Sequence, residues 1–239
     1  MAVALGYPQD SRRPGPALRL AIASDAAFHF RYPETSELLE AVGVEPLMWS
    51  PLADQALPVG ARGILLPGGY PELHAERLSR SRRSLGCLAK AWRNGLPIVA
   101  ECGGLLLLGS SLEDSGGVPR TMAGVLPFQA SRGDLSLGYR EARCLSDGLL
   151  VRRGEVYAGH EFHRWQIKPT GDPMNRQQDI SSVWSLSGWG SPPRLEGSSA
   201  AHLHATWLHL HWGGTPELVK RLALGLAAVK ESQIGAEVD

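Results

Sequence analysis

The sequence predicts an α/β fold: a mostly parallel sheet flanked by helices, with additional antiparallel strands in the C-terminal half. Three observations predict it. Short apolar runs alternate with helix-patterned segments up to about residue 120, the pattern of parallel strands with helices on both faces. Turns rich in glycine and proline follow those runs, notably Pro67-Gly68-Gly69 and Cys102-Gly103-Gly104. Beyond residue 120 the helical pattern gives way to strand-like runs that succeed one another.

The elements follow in order. Residues 1–17, with Arg12-Arg13-Pro14-Gly15-Pro16, read as a disordered lead or the remnant of a linker. Leu18 to Ala23 is an apolar strand, and Pro33 to Val42 a helix with an acidic first turn that ends at Gly43. Pro46 to Trp49 and Gly63 to Leu66 are the next strands, and the turn from Pro67 to Leu73 is one that neither helix nor strand crosses. A helix runs from Ser84 through Trp92. The apolar run that follows Gly95-Leu96-Pro97 and leads to Cys102 is a buried strand, and the leucines from Leu105 to Leu108 open a packed helix. Gly124 to Phe128, Gly138 to Cys144, Glu155 to Trp165, Ser182 to Leu186 and His202 to Trp212 read as strands, and Pro216 to Lys230 as the last helix. Gly171 to Gln178 and Gly188 to Gly197 read as loops, and residues 233–239 as a tail.

Composition narrows the function. With 43% hydrophobic and 20% charged residues, the 239-residue chain is an ordinary globular protein able to bury a large core. Lys plus Arg equals Asp plus Glu at 24 each, so no global field favours nucleic acid or an anionic membrane. Three cysteines without CxxC spacing point to a reducing compartment, the cytoplasm, rather than to disulfides or a zinc knuckle. No run approaches the roughly 20 apolar residues of a membrane span, and Met1 to Pro16 is no secretory signal.

Cys102 is the candidate nucleophile. It falls on the turn between a buried strand and a packed helix, where Gly103 and Gly104 permit close backbone approach. On such an elbow the helix N-terminus favours a thiolate and supplies N–H groups for an oxyanion. The competing reading is a buried structural cysteine. A thiolate needs a base. His209, in an apolar strand that ends at Gly213-Gly214, is the candidate, against the alternative of a hydrogen-bonded core histidine. His209 and His211 share a strand face, but no cysteine or carboxylate stands at ligand spacing, so no metal is expected; Gly159-His160-Glu161-Phe162-His163 is one residue short of the zinc HExxH motif. The Gly68-Gly69 turn offers N–H groups to share the oxyanion site. Arg140 beside Gly138 can fork onto a substrate carboxylate or lie on an edge strand as a surface arginine. Neither a GxxxxGK[ST] P-loop nor a GxGxxG turn occurs, so this chain is not expected to activate a carboxylate with ATP itself.

These segments, in order, resemble the glutamine amidotransferase domain of the cobyrinic acid a,c-diamide synthase family. The resembling pieces are Ala21 to Glu34, Ser50 to Asp54, Leu66 to Leu73, Ala100 to Gly104, Gly138-Tyr139-Arg140, Gly159 to His163 and Leu208 to His211. Cobyric acid synthase is similar more loosely. The resemblance implies a class I glutamine amidotransferase (flavodoxin-like) domain over 18–232. It implies that Cys102 attacks the glutamine amide and that His209 activates the cysteine and protonates the departing ammonia. Gly69 and Gly103 match oxyanion positions, and Arg140 meets the glutamine α-carboxylate by analogy. Related enzymes carry a carboxylate two residues after the histidine; here that position is His211, which leaves the third member open. The family pairs this domain with an N-terminal P-loop synthetase domain that uses ATP and magnesium on a corrinoid. Glutamine is thus the expected substrate here, a synthetase domain or subunit the expected partner, and ATP and magnesium belong to that missing part. The alternatives are an amidotransferase-fold interaction module without catalysis, and an unrelated thiol hydrolase.

Overall fold

A computed structural model of the protein describes residues 17–170, 180–188 and 191–234. The expected lead, the loop expected over 171–178 and the end of the expected tail lie outside them. The N-terminal half comprises β1 (Leu18–Ala23), α1 (Glu34–Ala41), β2 (Val44–Trp49), β3 (Ala61–Leu66), α2 (Ala75–Arg80), α3 (Arg82–Arg93), β4 (Ile98–Glu101) and α4 (Gly103–Leu108). Five strands follow: β5 (Ser111–Glu113), β6 (Pro119–Thr121), β7 (Phe128–Cys144), β8 (Val156–Pro169) and β9 (Trp184–Gly188). The last elements are β10 (Ser191–Glu196), β11 (Ser198–Ala200), β12 (Leu203–Thr206), β13 (His209–Leu210) and α5 (Pro216–Ala228).

The first sheet has the order β11-β12-β4-β3-β1-β2 and is parallel except for β11. Its strands are apolar on both faces because helices cover both. Ile64, Leu66, Ile98 and Ala100 face a core shared with Leu78 of α2, Leu88 of α3 and the leucines of α4. Leu20, Ile22, Leu65 and Val99 face the opposite core, with Leu39 of α1 and Leu218, Leu222 and Leu226 of α5. The second sheet is built on the β7–β8 hairpin; on the edge of β7 away from β8, β5 and β6 extend it near Phe128 and β9 and β10 near Cys144. Short β13 pairs with β8, so the chain leaving the first sheet at β12 joins the second at once.

Three expectations change. The strand expected over 124–128 is an irregular turn: Gly124 has φ +64°, and Gly124 and Leu126 give their N–H groups to the carbonyls of Gly109 and Leu108, both at 2.8 Å. The loop expected over 188–197 carries β10. Pro192 and Pro193 cannot donate to a ladder, yet they are tolerated because β10 is an edge strand whose register shifts between Ser191 and Arg194. The strand expected over 202–212 breaks after Thr206, whose hydroxyl accepts the Leu208 N–H at 3.0 Å and so closes a turn.

Candidate active site

Cys102 stands between β4 and α4 with φ +49° and ψ −110°, a conformation that a non-glycine residue holds only when its surroundings enforce it. They do so from two sides. Its N–H is held by the Thr206 carbonyl of neighbouring β12 at 2.8 Å, and its carbonyl accepts the Leu105 N–H of α4 at 3.0 Å. Gly104 must follow closely, since a Cβ there would lie 2.1 Å from the Leu66 carbonyl oxygen. The thiol thus projects at the carboxyl edge of the first sheet into a cavity of about 170 Å³. Gly69, Tyr70, Glu72, Phe162, His163 and Arg164 are among the residues that line it.

Two of the expected glycines meet at this point. A Cβ on Gly103 would stand 2.9 Å from the Gly69 nitrogen and 2.7 Å from its oxygen. A Cβ on Gly69 would strike the Ala27 carbonyl oxygen at 2.0 Å. That carbonyl is fixed by the turn after β1, where Asp25 accepts hydrogen bonds from the Ala27 and Leu52 N–H groups and the Ser50 hydroxyl, each at 2.9 Å. Gly68, one residue earlier, lies under His209: a Cβ there would be 2.6 Å from the imidazole Cε1. The Gly68-Gly69 turn therefore touches the histidine with one residue and the cysteine's elbow with the next.

His209 is buried and stacks on His160, the residue opposite it in the β13–β8 ladder, with ring centroids 4.8 Å apart. Phe30 packs edge-on against it at 4.8 Å. The Cys102 thiol gives its hydrogen bond to the Phe162 carbonyl at 3.6 Å, and no hydrogen bond among the described residues joins it to His209. His211 points elsewhere: it is exposed, with Nε2 2.7 Å from a Glu34 carboxylate oxygen. Arg140 is buried and does not line the cavity. Its Nε donates to Glu161 at 2.8 Å and one Nη to the Tyr139 carbonyl at 3.0 Å. The arginine that lines the cavity is Arg164.

The electrostatics favour neutral groups. Burial pushes the Cys102 thiol up to about 12; the Gly103 N–H works against that rise, while Glu72, Glu101 and Glu161 add to it. The expectation of a helix-favoured thiolate is thus outweighed by desolvation, and α4 is only six residues long. Burial likewise lowers His209 to about 4, with His160 and His163 contributing, so at neutral pH its imidazole is uncharged and free to accept a proton.

Two supporting carboxylates add to the expected site residues, and one of them, Glu161, lies within the Gly159-to-His163 piece. Glu161 is fully buried; burial raises its pKa, but His163 and Arg194 outweigh that and hold it down at about 2. It accepts from Arg140, Arg194 and Ser136, and His163 Nε2 lies 3.7 Å away. This cluster fixes the strand segment whose Phe162 carbonyl meets Cys102. Glu196 of β10 accepts the Trp207 N–H at 2.8 Å and the Thr206 hydroxyl at 2.5 Å, and so shapes the turn that carries the chain to His209. Both reach the site from distant strands. Only the glycine-flanked position of Glu161, between His160 and His163, could have drawn attention to it. Among the described residues no group of three or more His, Cys, Asp or Glu could hold a metal ion. No helix among them is long and apolar enough to cross a membrane.

Comparison with known proteins shows the family and the fold. The family model of the CobB/CobQ-like glutamine amidotransferase domain matches residues 19–216. The chain is 39% identical over 203 residues to cobyrinate a,c-diamide synthase of Synechococcus sp., covering 84% of this chain and 43% of that protein. It is 38% identical over 208 residues to cobyrinate a,c-diamide synthase of Salmonella typhimurium, covering 86% of this chain and 44% of that protein. The chain therefore spans less than half the length of these relatives. A crystal structure of a glutamine amidotransferase superposes with a TM-score of 0.58 at 18% identity, covering 88% of this chain and 99% of that one, which establishes the shared fold.

Proposed function

Because the chain belongs to the CobB/CobQ-like glutamine amidotransferase family, we propose that it hydrolyses glutamine through Cys102 and His209. In this reading the ammonia released amidates corrinoid carboxylates, as in the cobyrinate a,c-diamide synthases it is similar to. The observation that carries it is the strained Cys102 elbow set against Gly69 and Gly103, with the neutral, buried His209 on the adjoining Gly68.

The steps follow from the residues. As Cys102 Sγ bonds to the glutamine amide carbon, its proton passes to His209 Nε2 or Nδ1, whichever faces it in the complex. The carbonyl π pair moves onto oxygen, which the Gly69 and Gly103 N–H groups receive. When the oxyanion collapses, the C–N bond breaks, His209 returns the proton to nitrogen, and ammonia leaves a γ-glutamyl thioester. Water, deprotonated by His209, then attacks the thioester; glutamate departs and Cys102 recovers its proton. The energetic obstacle is the thiol raised to about 12, so substrate entry must bring Sγ from the Phe162 carbonyl to the imidazole. We assign the glutamine α-carboxylate to Arg164, which lines the cavity, with Arg140 acting behind it by holding Glu161. ATP and magnesium are used, in this reading, by a synthetase portion that activates the corrinoid carboxylate.

Glutamate release from glutamine tests the proposal. Cys102→Ala abolishes turnover, His209→Ala nearly does so, and a glutamine-analogue electrophile labels Cys102 in competition with glutamine. Normal turnover by the Cys102→Ala protein would refute it. The thiol's bond to Phe162 favours a slow isolated chain whose turnover rises when a synthetase portion docks.

A further inference from the structure

The β7–β8 hairpin carries its polarity inside out. A ribbon with one face on the core normally turns apolar residues inward and polar ones outward. Here Ser136 and Arg140 of β7 and Glu161 of β8 point inward and share the buried charge cluster. Leu135, Leu137 and Tyr139 of β7 and Phe162 of β8 point outward and are exposed, Tyr139 to 84% and Leu137 to 61%. Leu137 sits opposite Phe162 and Tyr139 opposite His160, so these side chains form one continuous apolar surface. Single exposed apolar residues are ordinary; a contiguous face of them, matched by charges buried beneath, marks a contact surface.

The face adjoins the reacting groups. Leu135 and Phe162 line the same cavity as Cys102, and the ring of His160 beside Tyr139 stacks on His209. Whatever covers this face also closes the cavity from which ammonia must leave. The relatives named as synthases are more than twice the length of the matched region. We infer that the outer face of the β7–β8 hairpin is the seat of an ATP-dependent synthetase portion, whose contact joins the Cys102 cavity to the activated carboxylate. This inference rests on the glutaminase reading above.

The test is the thiol reactivity of Tyr139→Cys, read site by site by mass spectrometry after maleimide labelling. It compares the full chain alone with a fusion in which the chain replaces the matching part of the Salmonella typhimurium synthase, its synthetase portion verified by ammonium-driven amidation. The expected result is at least about tenfold protection of Tyr139→Cys in the fusion. Val59→Cys, exposed in the segment that enters β3 at the amino end of the first sheet, reacts alike in both. Equal reactivity of Tyr139→Cys in chain and fusion would overturn the proposal. Protection already in the chain alone, with a doubled mass by light scattering, assigns the face to a second copy and overturns it too. Glutamine turnover by the Cys102→Ala chain, measured without any fusion, reports failure of the underlying reading separately.

Discussion

At the scale of single residues, the site is a pair of neutral groups held apart. The Cys102 backbone is fixed in a left-handed conformation by Thr206 and Leu105, so the elbow itself needs no rearrangement and only Sγ has to turn from the Phe162 carbonyl when substrate arrives. His209, by contrast, is tuned by its neighbours: burial and two nearby imidazoles disfavour its cation and lower it to about 4. Hydrolysis requires the uncharged ring, and in the free protein that ring persists well below the ordinary histidine range. The acid limb of kcat/KM for glutamine hydrolysis is therefore expected near pH 4 to 5, activity being lost as pH falls through it. A profile across pH 4 to 8 checks this, and an acid limb at 6.5 or above would show that His209 is not the titrating base.

At the scale of elements, the parts legible in the sequence are those whose signal is local. The strand–turn–helix around Cys102 was readable because β4, two glycines and a leucine run are consecutive. Gly68-Gly69 was readable because β3 precedes it directly. Glu161 and Glu196 were not, since Glu161 meets Arg140 and Arg194 only through sheet pairing and Glu196 meets Trp207 only at the turn after β12. β10 was missed because its two prolines read as loop, and only an edge position admits them. Arg62 belongs to the same class. It sits in central β3, yet its guanidinium caps the end of α5 through the Leu226 and Val229 carbonyls and pairs with Glu231. Arg62→Met keeps the buried stem but strands those carbonyls. It is expected to lower the unfolding free energy by about 2 to 3 kcal/mol, because buried acceptors lose their donor. Urea denaturation measures this, and a change under about 0.5 kcal/mol would show that α5 is held by its Leu218, Leu222 and Leu226 packing alone.

At the scale of the whole molecule, buried ionisable groups concentrate where the two sheets meet, and they oppose one another in their response to pH. Burial raises Glu101 and Glu196 from 4.5 to about 7. The folded state then binds more protons than the unfolded chain between those values, so each carboxyl removes stability as pH rises through that range. Burial lowers His204 and His209 from 6.5 to about 4, so each removes stability as pH falls through its own range. From pH 4.5 to 6.5 the two pairs act together with opposite signs, and the melting temperature is expected to be nearly flat there. Below pH 4 the flatness ends, because Glu161 and Glu155, both held at about 2 against 4.5, lose their arginine partners' stabilisation as they protonate. Glu196→Gln exposes the balance. The amide, like the protonated acid, is uncharged, and it does not titrate; its oxygen still accepts from Trp207, while the Thr206 hydroxyl loses the carboxylate oxygen it donated to, a cost that does not vary with pH. With one carboxyl silenced the histidines prevail, and the melting temperature of the variant should climb with pH from 4.5 to 6.5 while the parent's stays level. Scanning calorimetry of both proteins in matched buffers decides it: parallel curves would mean that Glu196 is already ionised in the folded state, stabilised by the N–H of Trp207 and the hydroxyl of Thr206.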